Sequence, residues 1–277
     1  MKKLLLSAAI LAFAAPAMAS KARMISLGLT NSNSPVFVVD TQSVFDNPSH
    51  LLSLNNFATY EMGATSNLTP TAVAGQSPDA EGGVVQSYGS SKYGVYFGRK
   101  SDFTTGIRHY LGFKGQENPL ELQYATKLQG MDFGASLNYS SSDKKTATAQ
   151  KQTAAGARFG LNTDKWEAYA IIGLGSSATG STATNFPIDD YNASGTYGAG
   201  EVVAVVADAN SELKGTTGFK LGGSYKMDHL YSYVTYYQDG AEYTSRLNSA
   251  LNGMTVAQSQ LDLGVVNHNK LDAGLWY

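Results

Sequence analysis

The chain has 277 residues, no cysteine, a formal net charge of −2 and a charged fraction of only 15%, against about 25% for soluble domains. That excludes disulfide stapling, so stability comes from burial or from a bilayer, and the acidic balance argues against nucleic acid as a partner. After the first 19 residues no stretch approaches the roughly 18 continuous apolar residues of a spanning helix, which leaves strands as the only way through a membrane.

Residues 1–19 read as a secretory signal. Lys2 and Lys3 precede an apolar run from Leu4 to Ala15, and Ala17-Met18-Ala19 gives a small-x-small cleavage site before Ser20. Loss of those two lysines takes the formal charge from −2 to −4. The product is periplasmic, secreted or inserted in an outer membrane.

Residues 20–56 do not have strand rhythm. Val36-Phe37-Val38-Val39-Asp40 leads to Ser43-Val44-Phe45-Asp46-Asn47-Pro48, where Asn-Pro marks a turn or a helix start. Ala22-Arg23, Gly28, Asp40 and Asn47-Pro48 with Leu51 resemble the start of the long-chain fatty-acid transporter barrel superfamily, with Ser49-His50 in place of Ala-Gly. The run Asp40-Thr41-Gln42-Ser43-Val44-Phe45 before Asn47-Pro48 resembles the porin-like major outer-membrane proteins of predatory bdellovibrio-type bacteria more closely. The resemblance implies that residues 20–56 fold back as a hatch, with Arg23, Asp40, Asn47 and Pro48 as its marks. A periplasmic arm is the alternative.

Residues 57–277 alternate. Leu120, Leu122, Tyr124, Thr126 and Leu128 fall on one side against Glu121, Gln123, Ala125 and Lys127; Trp166, Ala168, Ala170, Ile172 and Leu174 oppose Glu167, Tyr169, Ile171 and Gly173. A period of two separates strand faces. An apolar face backed by glycine, amides and charges in long segments predicts a transmembrane antiparallel β-barrel, although a soluble sandwich also alternates. Eleven strands are predicted, at 57–64, 82–88, 93–99, 119–128, 131–139, 154–162, 166–174, 213–226, 230–238, 255–266 and 271–277. Short turns near 90, 130, 164, 228 and 268 alternate with long connections 66–81, 102–117, 142–150, 179–211 and 240–253. An odd count conflicts with the even number of bacterial barrels. It predicts closure at 12 to 14 strands and a C-terminally incomplete chain, against which Tyr277 is a terminal aromatic of the kind that the barrel-assembly machinery favours.

Extending the alternation places Glu61, Glu121, Lys127, Asp132, Arg158, Glu167, Lys214, Lys220, Asp262 and Asp272 on the inner, pore-lining face. Trp166, Tyr139, Tyr225 and Tyr93 fall near strand ends as interfacial girdle residues. The lining charge is mixed in sign, which predicts no strong ion selectivity; whether these groups pair and close the lumen or line water is left open. His50, His109, His229 and His268 have no partner at metal-ligand spacing, and no nucleophile elbow or phosphate loop occurs. The sequence therefore predicts a non-enzymatic porin-like channel without cofactor, in contact with outer-membrane lipid and small solutes. A hatch-gated transporter of hydrophobic compounds, with an apolar pocket near Phe37, Val39, Phe45 and Leu52, and a closed structural or recognition barrel are the alternatives.

Overall fold

A computed structural model describes residues 39–62, 80–100, 103–104, 108, 113, 115–144, 150–180, 183–187, 203–208, 211–251, 254–255 and 259–276. The period-two stretches form strands: β1 (Phe57–Met62), β2 (Ala80–Tyr88), β3 (Ser91–Phe97), β4 (Leu120–Leu128), β5 (Met131–Lys144), β6 (Gln150–Asn162) and β7 (Trp166–Gly180). Then come β8 (Ala183–Pro187), β9 (Val203–Asp208), β10 (Ser211–Gly215), β11 (Phe219–Met227), β12 (Leu230–Leu251), β13 (Met254–Thr255) and β14 (Ser259–Trp276). All belong to one antiparallel sheet. Consecutive strands from β1 to β7 are neighbours, as expected where short hairpins join them. Gln129 and Gly130 both take positive φ (52° and 84°), the backbone that a two-residue turn between twisted strands demands.

β10 and β11 lie end to end between β7 and β12, so they act as one strand interrupted at residues 216–218. β14 flanks the other side of β12, and the β8–β9 pair extends the far end of β12. The wall thus has ten lines among the described residues: β1 to β7, β10 with β11, β12, and β14. Short turns at 89–90, 129–130, 163–165 and 228–229 lie at one end and the long connections at the other.

Two boundaries differ from the sequence expectation. β12 continues through 240–251, and Asn267-His268-Asn269-Lys270 is mid-strand in β14, opposite Gly240 to Tyr237. Polar residues looked like a turn there, but the long β12 ladder supplies every partner they need. The predicted tenth and eleventh strands are therefore one. The parity argument for a missing C-terminal strand falls with that merger, since β1 starts and β14 ends at the short-turn end. Among the described residues β1 pairs only with β2 and β14 only with β12.

Burial is inverted relative to a soluble sheet. Leu122, Leu137, Phe159, Leu174, Leu221 and Leu271 are exposed, while their neighbours Glu121, Gln123, Ser136, Arg158 and Glu167 are buried. What buries them is residues 40–56, whose two 3₁₀ turns (Ser43–Phe45 and Pro48–Ser53) lie on the polar face. That short segment reaches Glu61 on β1, Tyr96 on β3, the backbone notch of β5 and β6, Glu167 on β7 and Lys220 on β11. One segment can meet six lines of the wall only if the sheet curls around it.

Candidate functional site

The segment 40–56 is built by its own turn residues. The Asp40 carboxylate accepts from the Gln42 and Ser43 amides at 2.8 and 2.9 Å. The Asn47 side chain caps the second turn by accepting from the Ser49 amide at 3.1 Å, with Pro48 at the first helical position, where its missing N–H costs nothing. Val44, Phe45 and Leu51 pack with Val85, Tyr96 and Ala125 of the wall. The Phe45 ring meets Tyr96 edge-on at 4.8 Å and carries the Arg99 guanidinium at 3.7 Å.

Polar contacts then pin this segment to the wall. Glu167 is the hub: its Oε2 accepts from Asn47 Nδ2 at 3.0 Å and lies 2.6 Å from His50 Nε2, while its Oε1 accepts from Ser224 Oγ at 3.1 Å. The other ring nitrogen of His50 meets Ser43 Oγ at 2.9 Å. Lys220 Nζ pairs with Asp46 at 2.8 Å, and Lys92 donates to the Leu54 carbonyl. Gly134 and Gly160 are cross-strand partners. A Cβ on Gly134 would overlap the Pro48–Ser49 backbone, and one on Gly160 would overlap the Asn47 carboxamide, so the two form a notch that only glycine leaves open.

The residues singled out in the sequence divide as follows. Glu121 and Arg158 form a buried ion pair at 2.5 Å, with Gln123 Nε2 donating to the same carboxylate at 3.1 Å. Glu167, Lys220, Asp40, Asn47 and Pro48 belong to the docked segment and its anchors. Glu61 accepts from Gln42 at 3.3 Å. Lys127 and Asp132 pair at 3.1 Å beside the 129–130 turn, where Lys127 is 68% exposed. Asp272 shares the inner parity of β14, next to exposed Leu271 and Ala273. The Asp262 side chain and all of Arg23 lie outside the described residues.

Lys214 is a correction. It is exposed, and Leu213 is the fully buried residue beside it. The alternation was extended straight through 213–226, but the interruption at 216–218 inserts an odd number of residues and swaps the faces. Lys214 instead stands opposite exposed Glu242 on the outer face. His268, expected in a turn, is on β14 with Nδ1 3.3 Å from Asp239. His109 and Phe37 lie outside the described residues.

A second inward element has no signature in the sequence. The β3–β4 connection sends Arg108, fully buried, onto the inner face of β6 and β7. Its guanidinium donates to Thr104 Oγ1 (2.9 Å), Gln152 Oε1 (3.2 Å), the Thr153 carbonyl (3.0 Å) and Ser176 Oγ. Phe103 stacks on Tyr237 at 5.5 Å and fills the space over Gly173 and Gly218. Phe113 packs with Ala178, Leu213, Ala241 and Tyr243. An arginine in a connecting stretch reads as solvated, and Gln152, Thr153 and Ser176 lie 44 to 68 residues away.

No family model, curated protein or solved structure matches the chain. Among the described residues there is no cluster of three or more metal-ligating side chains, and no helix is long and apolar enough to cross a membrane.

Proposed function

We propose that the chain is an outer-membrane β-barrel acting as a porin-like channel for passive diffusion of small solutes, shut here by residues 40–56. The observation that carries this reading is the inverted burial: leucines and phenylalanines outside, ions and amides inside. In water such a sheet would expose its oily face at about 25 cal/mol per Å²; in lipid the same face is at home, and a charge turned outward at mid-bilayer costs about 2–4 kcal/mol. Outer-face charge fits that constraint. Glu242, opposite Lys214, lies 12 residues from the β12 start at Leu230, and about 3.4 Å per residue at roughly 40° tilt carries it above a band of about 25 Å. Exposed Tyr93, Trp166 and Tyr225 lie near the short turns and Tyr139 farther along β5, as expected of two girdles.

Ten lines with both outer strands meeting the short-turn end suit an even, closed barrel in which β1 meets β14. The mixed-sign lining favours neutral or weakly selected solutes. The hatch resemblance agrees with the position of residues 40–56, but the apolar residues there are consumed by packing on Val85, Tyr96 and Ala125, which weakens a hydrophobic-compound site. A permanently closed recognition barrel is the second reading, favoured by buried Arg108 and Phe113, which pack on the inner face toward the other end. Planar-bilayer recordings separate the two. Steady openings after deletion of residues 40–56, rare in the full chain, support the channel; silence in both sinks it.

A further inference from the structure

Beneath residues 40–56 the wall contains a layer whose hydrogen bonding is unfinished. Tyr96 and Glu121 face each other across β3 and β4, Gln123 and Ser136 across β4 and β5, and Ser136 and Arg158 across β5 and β6. All five side chains are at most 3% exposed. Yet the Tyr96 hydroxyl, Glu121 Oε2, Gln123 Oε1, Ser136 Oγ and Arg158 Nε have no hydrogen-bond partner among the described residues. Buried polar atoms are very seldom left bare, because desolvation without replacement is costly.

The layer also dictates what can satisfy it. The Glu121–Arg158 ion pair makes it electrically balanced, so an ion gains little there. Glu121 Oε2 and Gln123 Oε1 need donors, the Arg158 Nε–H needs an acceptor, and the two hydroxyls take either. A hydroxyl group is the smallest function that supplies both. We infer that this layer binds neutral hydroxyl-bearing molecules, water at rest and a small polyol or sugar when one is present. It makes the seam between residues 40–56 and the wall a wet one, held by molecules that exchange. This deepens the channel reading by naming a solute class, but its test reads occupancy and not conduction, so either can fail alone.

The test uses the full chain folded in detergent micelles with nitrogen-labelled arginine and glutamine, following magnetisation transfer from water to the Arg158 Nε–H and the Gln123 amide. Transfer to both is expected, and glycerol added at molar concentration distinguishes the sources. Transfer from glycerol carbon-bound protons identifies a polyol site; unchanged water transfer restricts the occupant to water. Absence of both overturns the inference. Ser136→Ala, which removes one hydroxyl without enlarging a side chain, is expected to abolish transfer to the Gln123 amide while the fold, read by heat-modifiable gel mobility, persists. Unaltered transfer in that variant also overturns it.

Discussion

Two segments lie on the inner face and are held there by opposite chemistry. Residues 40–56 are pinned by charge: Glu167 gathers Asn47 and His50, and Lys220 takes Asp46. In the β3–β4 connection the Arg108 guanidinium is spread over hydroxyls, an amide and a carbonyl. A charge latch depends on both partners staying ionised and on screening. A guanidinium stays charged at any ordinary pH, so its bonds to hydroxyls, an amide and a carbonyl are less sensitive to both. The contrast suggests a releasable element at the short-turn end and a fixed one at the other.

Breaking the charge hub has the largest expected effect. Glu167→Ala strands the donors of Asn47, His50 and Ser224, and removing one member of a buried charged network costs about 3–5 kcal/mol. Residues 40–56 should then become protease-sensitive and bilayer openings frequent; unchanged cleavage would refute the latch. Arg108→Met leaves Thr104, Gln152 and Ser176 without their cation, at about 2–4 kcal/mol. Cleavage should appear in 98–119 and not in 40–56.

Gly160→Ala fills the notch occupied by the Asn47 carboxamide and should undock the N-terminal segment at about 1–3 kcal/mol; its signature is openings with the sheet intact by circular dichroism. Lys220→Met removes the partly buried Asp46 pair for about 1–2 kcal/mol, seen as openings at low salt that the parent shows only at higher ionic strength. Lys127→Ala is the smallest. Its pair with Asp132 is largely solvated, and a shift in the denaturation midpoint worth more than about 0.5 kcal/mol would contradict its assignment to the rim.

The faces of β4 to β6 and of β7 as far as Gly173 could be read directly, because Leu122, Leu137, Phe159 and Ala170 alternate against Glu121, Ser136, Arg158 and Glu167. The same rule misplaced Lys214, since Thr216-Thr217-Gly218 carries no mark that distinguishes a phase-swapping interruption from ordinary strand. The 267–270 stretch has turn composition but strand pairing, and only the length of β12 reveals it. Asn47-Pro48 was legible as a turn builder because its capping bonds are local, two residues away.

Sequence alone therefore determined the sheet, its two chemically distinct faces, the alternation of short and long connections as far as the start of β12 and the turn at Asn47-Pro48. Each depends on neighbours two to four positions apart, where residue type and backbone period suffice. Tertiary structure alone decided which carboxylate holds the N-terminal segment, why Gly134 and Gly160 are bare, how Arg108 is satisfied and where the strand phase inverts. Those depend on groups brought together across the curled sheet, at separations of up to 174 residues for Lys220 and Asp46, and no local pattern encodes a contact that only the closing of the fold creates.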